Sequence, residues 1–156
     1  MNVMHPPFVH FVIALPLVAL FSQFTYMVTK DPAYSKAAFR IIAFAMLVSL
    51  FAVFSGINDA KKIIKNHNIM QDGLTVLNSH KLLGFGVLAL LLLTTLSKWL
   101  ALSKRSVAWE NFSIVLIIIT LMASLYQGRS GGSIVYQYTG GIDSQTIQQR
   151  LEERKK

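Results

Sequence analysis

The 156-residue chain contains no cysteine. Disulfides, thiolate metal sites, iron–sulfur ligation and cysteine nucleophiles are thereby excluded. Charge is also scarce: 14% of residues are Asp, Glu, Lys or Arg while 53% are hydrophobic, whereas soluble domains carry about a quarter charged residues. No helical HExxH pair, phosphate-cradling glycine loop or nucleophile–base signature occurs. The net charge of +8 does not point to nucleic acid, because the basic face interleaved with aromatics that such binding needs is missing. The cations instead fill short stretches between apolar runs, where they meet anionic lipid headgroups. The first apolar run lacks both a basic lead-in and an A-x-A-like stop, so it is expected to remain as an anchor.

Four apolar segments approach the roughly 20 residues that cross a bilayer core: about 8–28, 39–57, 82–102 and 107–126, the last including a polar step at Glu110 and Asn111. They predict an all-α integral membrane four-helix bundle over residues 1–142 and a polar tail over 143–156. Pro16 removes a backbone donor inside the first helix and predicts a kink. Lys30–Lys36, with Asp31-Pro32, reads as a turn, Asn58–Asp72 as a polar connection and Ser103–Ser106 as a third connection. GRSGGSIVYQYTGGI suggests a short loop or hairpin at the membrane surface, and Asp143-Ser144 an N-cap for a short solvated helix. Four spans put both termini on one side. The Lys and Arg residues near the spans divide too evenly to orient the chain.

This topology gathers distant polar residues. His10 and His80 fall at comparable depth near the starts of the first and third helices. Gly56 and Asp59 end the second helix on that side, Gln127 and Arg129 leave the fourth there, and His5, Tyr136 and Tyr138 join them. Ionisable groups near hydrocarbon usually face a bundle interior or a wet cavity. Bundle cores hold cofactors between facing helices, and haem iron takes axial histidines. Ala14 and Gly84, one turn deeper than His10 and His80, would leave clearance for a flat macrocycle. The expectation is a haem b held by His10 and His80, with Asp59 and Arg129 paired or serving the propionates.

Pro6 and Pro7 favour a helix that starts just after His5, leaving His5 outside as a lid or partner. His67, in a charged stretch, reads as solvated. A cluster at one face, with nothing comparable at the other, implies electrons passed to a quinone or a redox protein rather than across the bilayer or into substrate turnover. Two other readings stand beside it: a structural or accessory subunit, with a homo-oligomer as one form of it, whose polar cluster only organises packing, and a non-haem metal site built from His5, His10 and His80.

HPPFVHF, GIND, HKLLG and GGSIVY together resemble a bacterial membrane family known as domain of unknown function 2231, whose pattern is HPxxVHFPIAL, GxxD, a histidine opening the third helix and GGxLVYxHGVGV. The resemblance covers nearly the whole chain. It implies a four-helix membrane fold and supports His5, His10, Gly56, Asp59, His80, Gly131, Gly132 and Tyr136 as family positions. Some relatives carry fused cytochrome c or other redox domains, which implies a redox setting in the bacterial inner membrane with the histidine side facing away from the cytoplasm. The chain departs from the pattern at Tyr138 and Thr139, where the family has histidine and glycine, and at Val12, where it has proline.

Overall fold

A computed structural model describes residues 5–142 and 144–154. Four long helices make an antiparallel bundle: α1 (His5–Thr29), α2 (Pro32–Lys65), α3 (Gly73–Lys104) and α4 (Val107–Tyr136), followed by α5 (Ser144–Glu153). In sequence order each helix packs on the next, and α1 closes the ring on α4. All four are long and apolar enough to span a membrane. Among the described residues there is no strand.

The buried positions recur at alternating spacings of three and four: Val12, Pro16, Ala19 and Gln23 on α1; Ser35, Ala38, Ile42, Ala45, Ser49 and Ala52 on α2; Glu110, Ser113, Ile117, Thr120, Ser124 and Gln127 on α4. That is the seam of a left-handed bundle, about 3.5 residues per turn. Small and hydroxyl residues dominate it, because helices in lipid gain from close approach and interhelical hydrogen bonds rather than from burying hydrocarbon. Phe21, Phe24, Phe54 and Leu82 accordingly point outward. The apolar part of the interior is built from Ala19, Ile42, Ala45, Leu91 and Ile117 and continues through Val12, Ala52 and Val87 toward one end.

The helices run further than hydropathy indicated, for local reasons. Asp31-Pro32 is the start of α2 and not part of a turn: the Asp31 carboxylate accepts from Ala33 N at 2.8 Å, and proline occupies a first-turn position that needs no donor. The polar stretch from Asn58 continues α2 to Lys65. The Gly131-Gly132 pair does not break α4, so the expected loop or hairpin begins only after Tyr136. That turn is tied to the α2–α3 connection by Met70 N donating to Tyr138 O at 3.1 Å and Gly141 N donating to Asn68 O at 3.0 Å. Tyr138 lies over Gly73, where a Cβ would come within 2.6 Å of the tyrosine Cβ. Asp143, expected to cap the tail helix, lies outside the described residues.

Candidate functional site

At the end where α1 and α3 begin, the four helices enclose a cavity of about 420 Å³. Its wall is largely apolar, with Val12, Ile13, Ala52, Val53, Val87 and Val135 among the lining residues, and a polar group contributed by all four helices: His5, Asp59, His80 and Gln127, with Ser124 deeper on α4.

His5 is the first residue of α1, and its backbone N–H donates to Asp59 Oδ2 at 2.8 Å. Its ring Nδ1 lies 2.8 Å from Ala52 O, and since a carbonyl only accepts, Nδ1 carries the proton. The ring rests on Gly56, where a Cβ would sit 2.9 Å from Nδ1. His80 meets it edge-on with ring centroids 6.0 Å apart. Gln127 holds His80 from α4: its Nε2 donates to His80 O at 2.9 Å and lies 3.2 Å from His80 Nε2. His80 Nδ1 lies 3.3 Å from Ser130 Oγ. Gly131 makes room for the ring, since a Cβ there would come within 3.1 Å of His80 Cε1. Gly84 does the same for Gln127, with its would-be Cβ at 3.3 Å from Nε2. Ser124 Oγ and Gln127 Oε1 are buried without a hydrogen-bond partner.

The histidine that enters the bundle is therefore His5 and not His10. His10 is exposed at the cavity rim, with Nδ1 2.7 Å from Pro6 O of its own helix, and Ala14 is exposed beside it. The cause is helix phase: His5 lies seven residues before Val12 and shares the buried seam, whereas His10 falls between seam positions. The helix includes His5 itself instead of starting just after it, so His5 is not a free lid.

Asp59 and Arg129 do not pair. Arg129 is exposed, while the Asp59 carboxylate is bound by His5 N and lies 3.6 Å from Lys62 Nζ. Because α2 continues past it, Asp59 is not at a helix C-terminus; it lies at the N-terminus of α1, where a carboxylate favours the macrodipole. Tyr136 is 88% exposed, and His67 is exposed, as expected.

The expected haem pair does not fit this arrangement. Both His80 ring nitrogens face protein partners, Gln127 and Ser130, and His10 is exposed at the rim with Nδ1 held by Pro6 O of its own helix. Among the described residues no group of three or more His, Cys, Asp or Glu is placed to hold a metal ion, so the three-histidine arrangement is not formed either. His10→Ala is expected to shift unfolding stability by no more than about 0.5 kcal/mol. His80→Ala, which leaves one Gln127 amide N–H without its ring acceptor while the bond to the backbone carbonyl survives, should cost about 1–3 kcal/mol; equal losses in a detergent-unfolding comparison would contradict the placement.

The sequence profile of the family described as predicted membrane protein (DUF2231) matches residues 2–144. The chain belongs to that family. No curated protein and no solved structure matches it. Three of the motifs that carried the DUF2231 resemblance thus meet in one cavity: His5 from HPPFVHF, Gly56 and Asp59 from GIND, and His80 from HKLLG. Gly131, the first glycine of GGSIVY, completes it by admitting the His80 ring.

The sequence reading missed a second polar centre at the opposite end. Lys98 of α3 is fully buried and its Nζ reaches Glu110 Oε2 of α4 at 2.6 Å, Gln23 Oε1 of α1 at 2.7 Å and Ser35 Oγ of α2 at 2.8 Å. Ser35 Oγ and Gln23 Nε2 are also bonded to the two Glu110 oxygens, at 2.6 and 2.8 Å. The ammonium stands 5.9 Å from the Tyr26 ring. The expectation that nothing comparable lies at the other face is therefore corrected. An acidic and a basic residue on consecutive apolar helices were a usable signal. Glu110 reads locally as a polar step within its span and Lys98 as one of the cations near the spans, which hid it.

Proposed function

We propose that this protein is an intramembrane binding module for a lipid-soluble small molecule, with the molecule's polar head among His5, Ser124 and Gln127 and its apolar body along the valine- and alanine-lined wall. The observation that carries this reading is the pair of buried, unpartnered polar atoms, Ser124 Oγ and Gln127 Oε1, on residues lining a cavity between the helices. Buried polar groups without partners are rare, and each costs about 1–3 kcal/mol. They are tolerated where a ligand or ordered solvent completes them. An apolar pocket with a few convergent polar groups is also the usual form of a small-molecule site. A ring-headed, quinone-type lipid has the required shape: a compact hydrogen-bonding head on a hydrocarbon tail.

Purification in a mild detergent, followed by solvent extraction and mass spectrometry, tests the reading. A stoichiometric lipid-soluble compound is expected with the wild-type protein. It should be lost from Ala52→Leu, which adds a side chain to the cavity wall at a residue 6% exposed, while the variant remains folded. Equal recovery of the same compounds from both proteins would refute it.

A further inference from the structure

The direction of each hydrogen bond around the cavity narrows what its ligand can be. Gln127 has two amide N–H donors and one acceptor oxygen. The His80 carbonyl can only accept, so the 2.9 Å contact identifies the atom facing α3 as the amide nitrogen. The same nitrogen lies 3.2 Å from His80 Nε2, which takes the second N–H as an unprotonated acceptor, and the His80 proton belongs on Nδ1, toward Ser130 Oγ at 3.3 Å. Both amide donors are thus used within the protein. The atom left over, Oε1, can only accept, and it is buried without a partner.

His5 has the same polarity. Its Nδ1 donates to Ala52 O at 2.8 Å, so the Nε2 of the neutral ring is a lone pair, and no described residue bonds it. Its backbone N–H is taken by Asp59. Ser124 Oγ can act in either sense. The cation on the wall, Lys81, is exposed at the rim. Inside, the atoms without a described partner are two acceptors, Gln127 Oε1 and His5 Nε2, and the Ser124 hydroxyl; the Asp59 carboxylate likewise only accepts, and the Ser49 hydroxyl donates to Met46 O.

We infer that the cavity selects the reduced, hydroxyl-bearing form of a quinone-type lipid over its oxidised, dicarbonyl form. This rests on the binding reading above and adds the chemistry of the head. A quinone offers only acceptors, so against Gln127 Oε1 and His5 Nε2 its carbonyls leave buried lone pairs facing lone pairs. A quinol brings O–H donors to those atoms and can still accept from Ser124. Sites with hydrogen-bonding groups placed for a hydroxyl reject analogues that lack the donor far more strongly than apolar pockets discriminate by shape.

The test is equilibrium binding of a decyl-tailed benzoquinone and of its quinol, kept reduced under anaerobic conditions, to the full chain in lipid nanodiscs, with empty nanodiscs subtracted. The quinol is expected to bind roughly tenfold or more tightly than the quinone. A tenfold preference raises the midpoint potential of the bound two-electron couple by about 30 mV. Gln127→Met, which keeps the length of the side chain but removes the acceptor, should erase most of the preference, and Ser124→Ala should weaken both forms. Equal affinities, or tighter binding of the quinone, overturn the inference while leaving the binding module standing. So does binding of neither form by a protein that still carries a different co-purified lipid. If neither probe binds and solvent extraction of the wild-type protein yields no lipid-soluble compound, both readings fall.

Discussion

Lys98→Met is expected to destabilise the bundle by about 3–5 kcal/mol, because it leaves a buried carboxylate without its cation. Glu110 would keep only Gln23 and Ser35, and its side chain is 8% exposed. The measurement is reversible unfolding in mixed micelles, with helix content as the readout. The double variant Lys98→Met/Glu110→Leu is expected to regain most of the loss, since an apolar pair of similar volume avoids desolvating either ion. If the single and double variants are equally unstable, the network acts by some means other than charge pairing. Every N–H of the Lys98 ammonium and both Glu110 oxygens have partners, and the partners come from all four helices. Such a closed arrangement fixes helix order and register, and it has no free valence for a ligand. The two polar ends of the bundle therefore differ in kind: one is saturated within the protein, and the other has unpaired atoms at a cavity.

Gly56→Leu is expected to lose the candidate site and about 1–3 kcal/mol of stability through overpacking. A Cβ at position 56 would lie 2.9 Å from His5 Nδ1 and 3.0 Å from Cε1. The ring must then leave its bond to Ala52 O, and α1 loses the orientation of its first turn. The matched control is Gly86→Leu, where a Cβ meets nothing within 4 Å and stability should stay within about 0.5 kcal/mol. Both variants, compared for unfolding and for co-purified lipid-soluble compound, separate a specific seat for His5 from a general intolerance of large residues at helix glycines. Equal behaviour of the two would remove the His5 seat from the account.

The transmembrane character, the number of spans and the up-and-down topology were legible in the sequence, because each rests on local hydropathy and on the need of every span to satisfy its own backbone in lipid. So was the gathering of His5, Asp59, His80 and Gln127 at one end, which topology alone dictates. Which histidine enters the bundle depends on azimuth. Five residues along a helix rotate a side chain by about 140° net, so His5 and His10 could not both face inward, but nothing near them indicated which one would. The deciding signal lay further along, where Ala19 and Gln23 continue the three-and-four spacing back through Val12 to His5. The extent of α4 could not be read locally either. Gly131 looks like a breaker until the His80 ring, distant in sequence, is seen to need the space.

By itself, then, the sequence determined a four-span helical bundle of the DUF2231 family with one polar cluster gathered at one end, since hydropathy and charge act over neighbouring residues. Only the tertiary structure decided which of those polar residues face one another. It closed Lys98 and Glu110 into a saturated network, and it put His5, in place of His10, beside His80. It also left Ser124 and Gln127 with unpartnered atoms. Pairing depends on helix phase and interhelical distance to within a hydrogen-bond length, and a chain read one residue at a time carries neither.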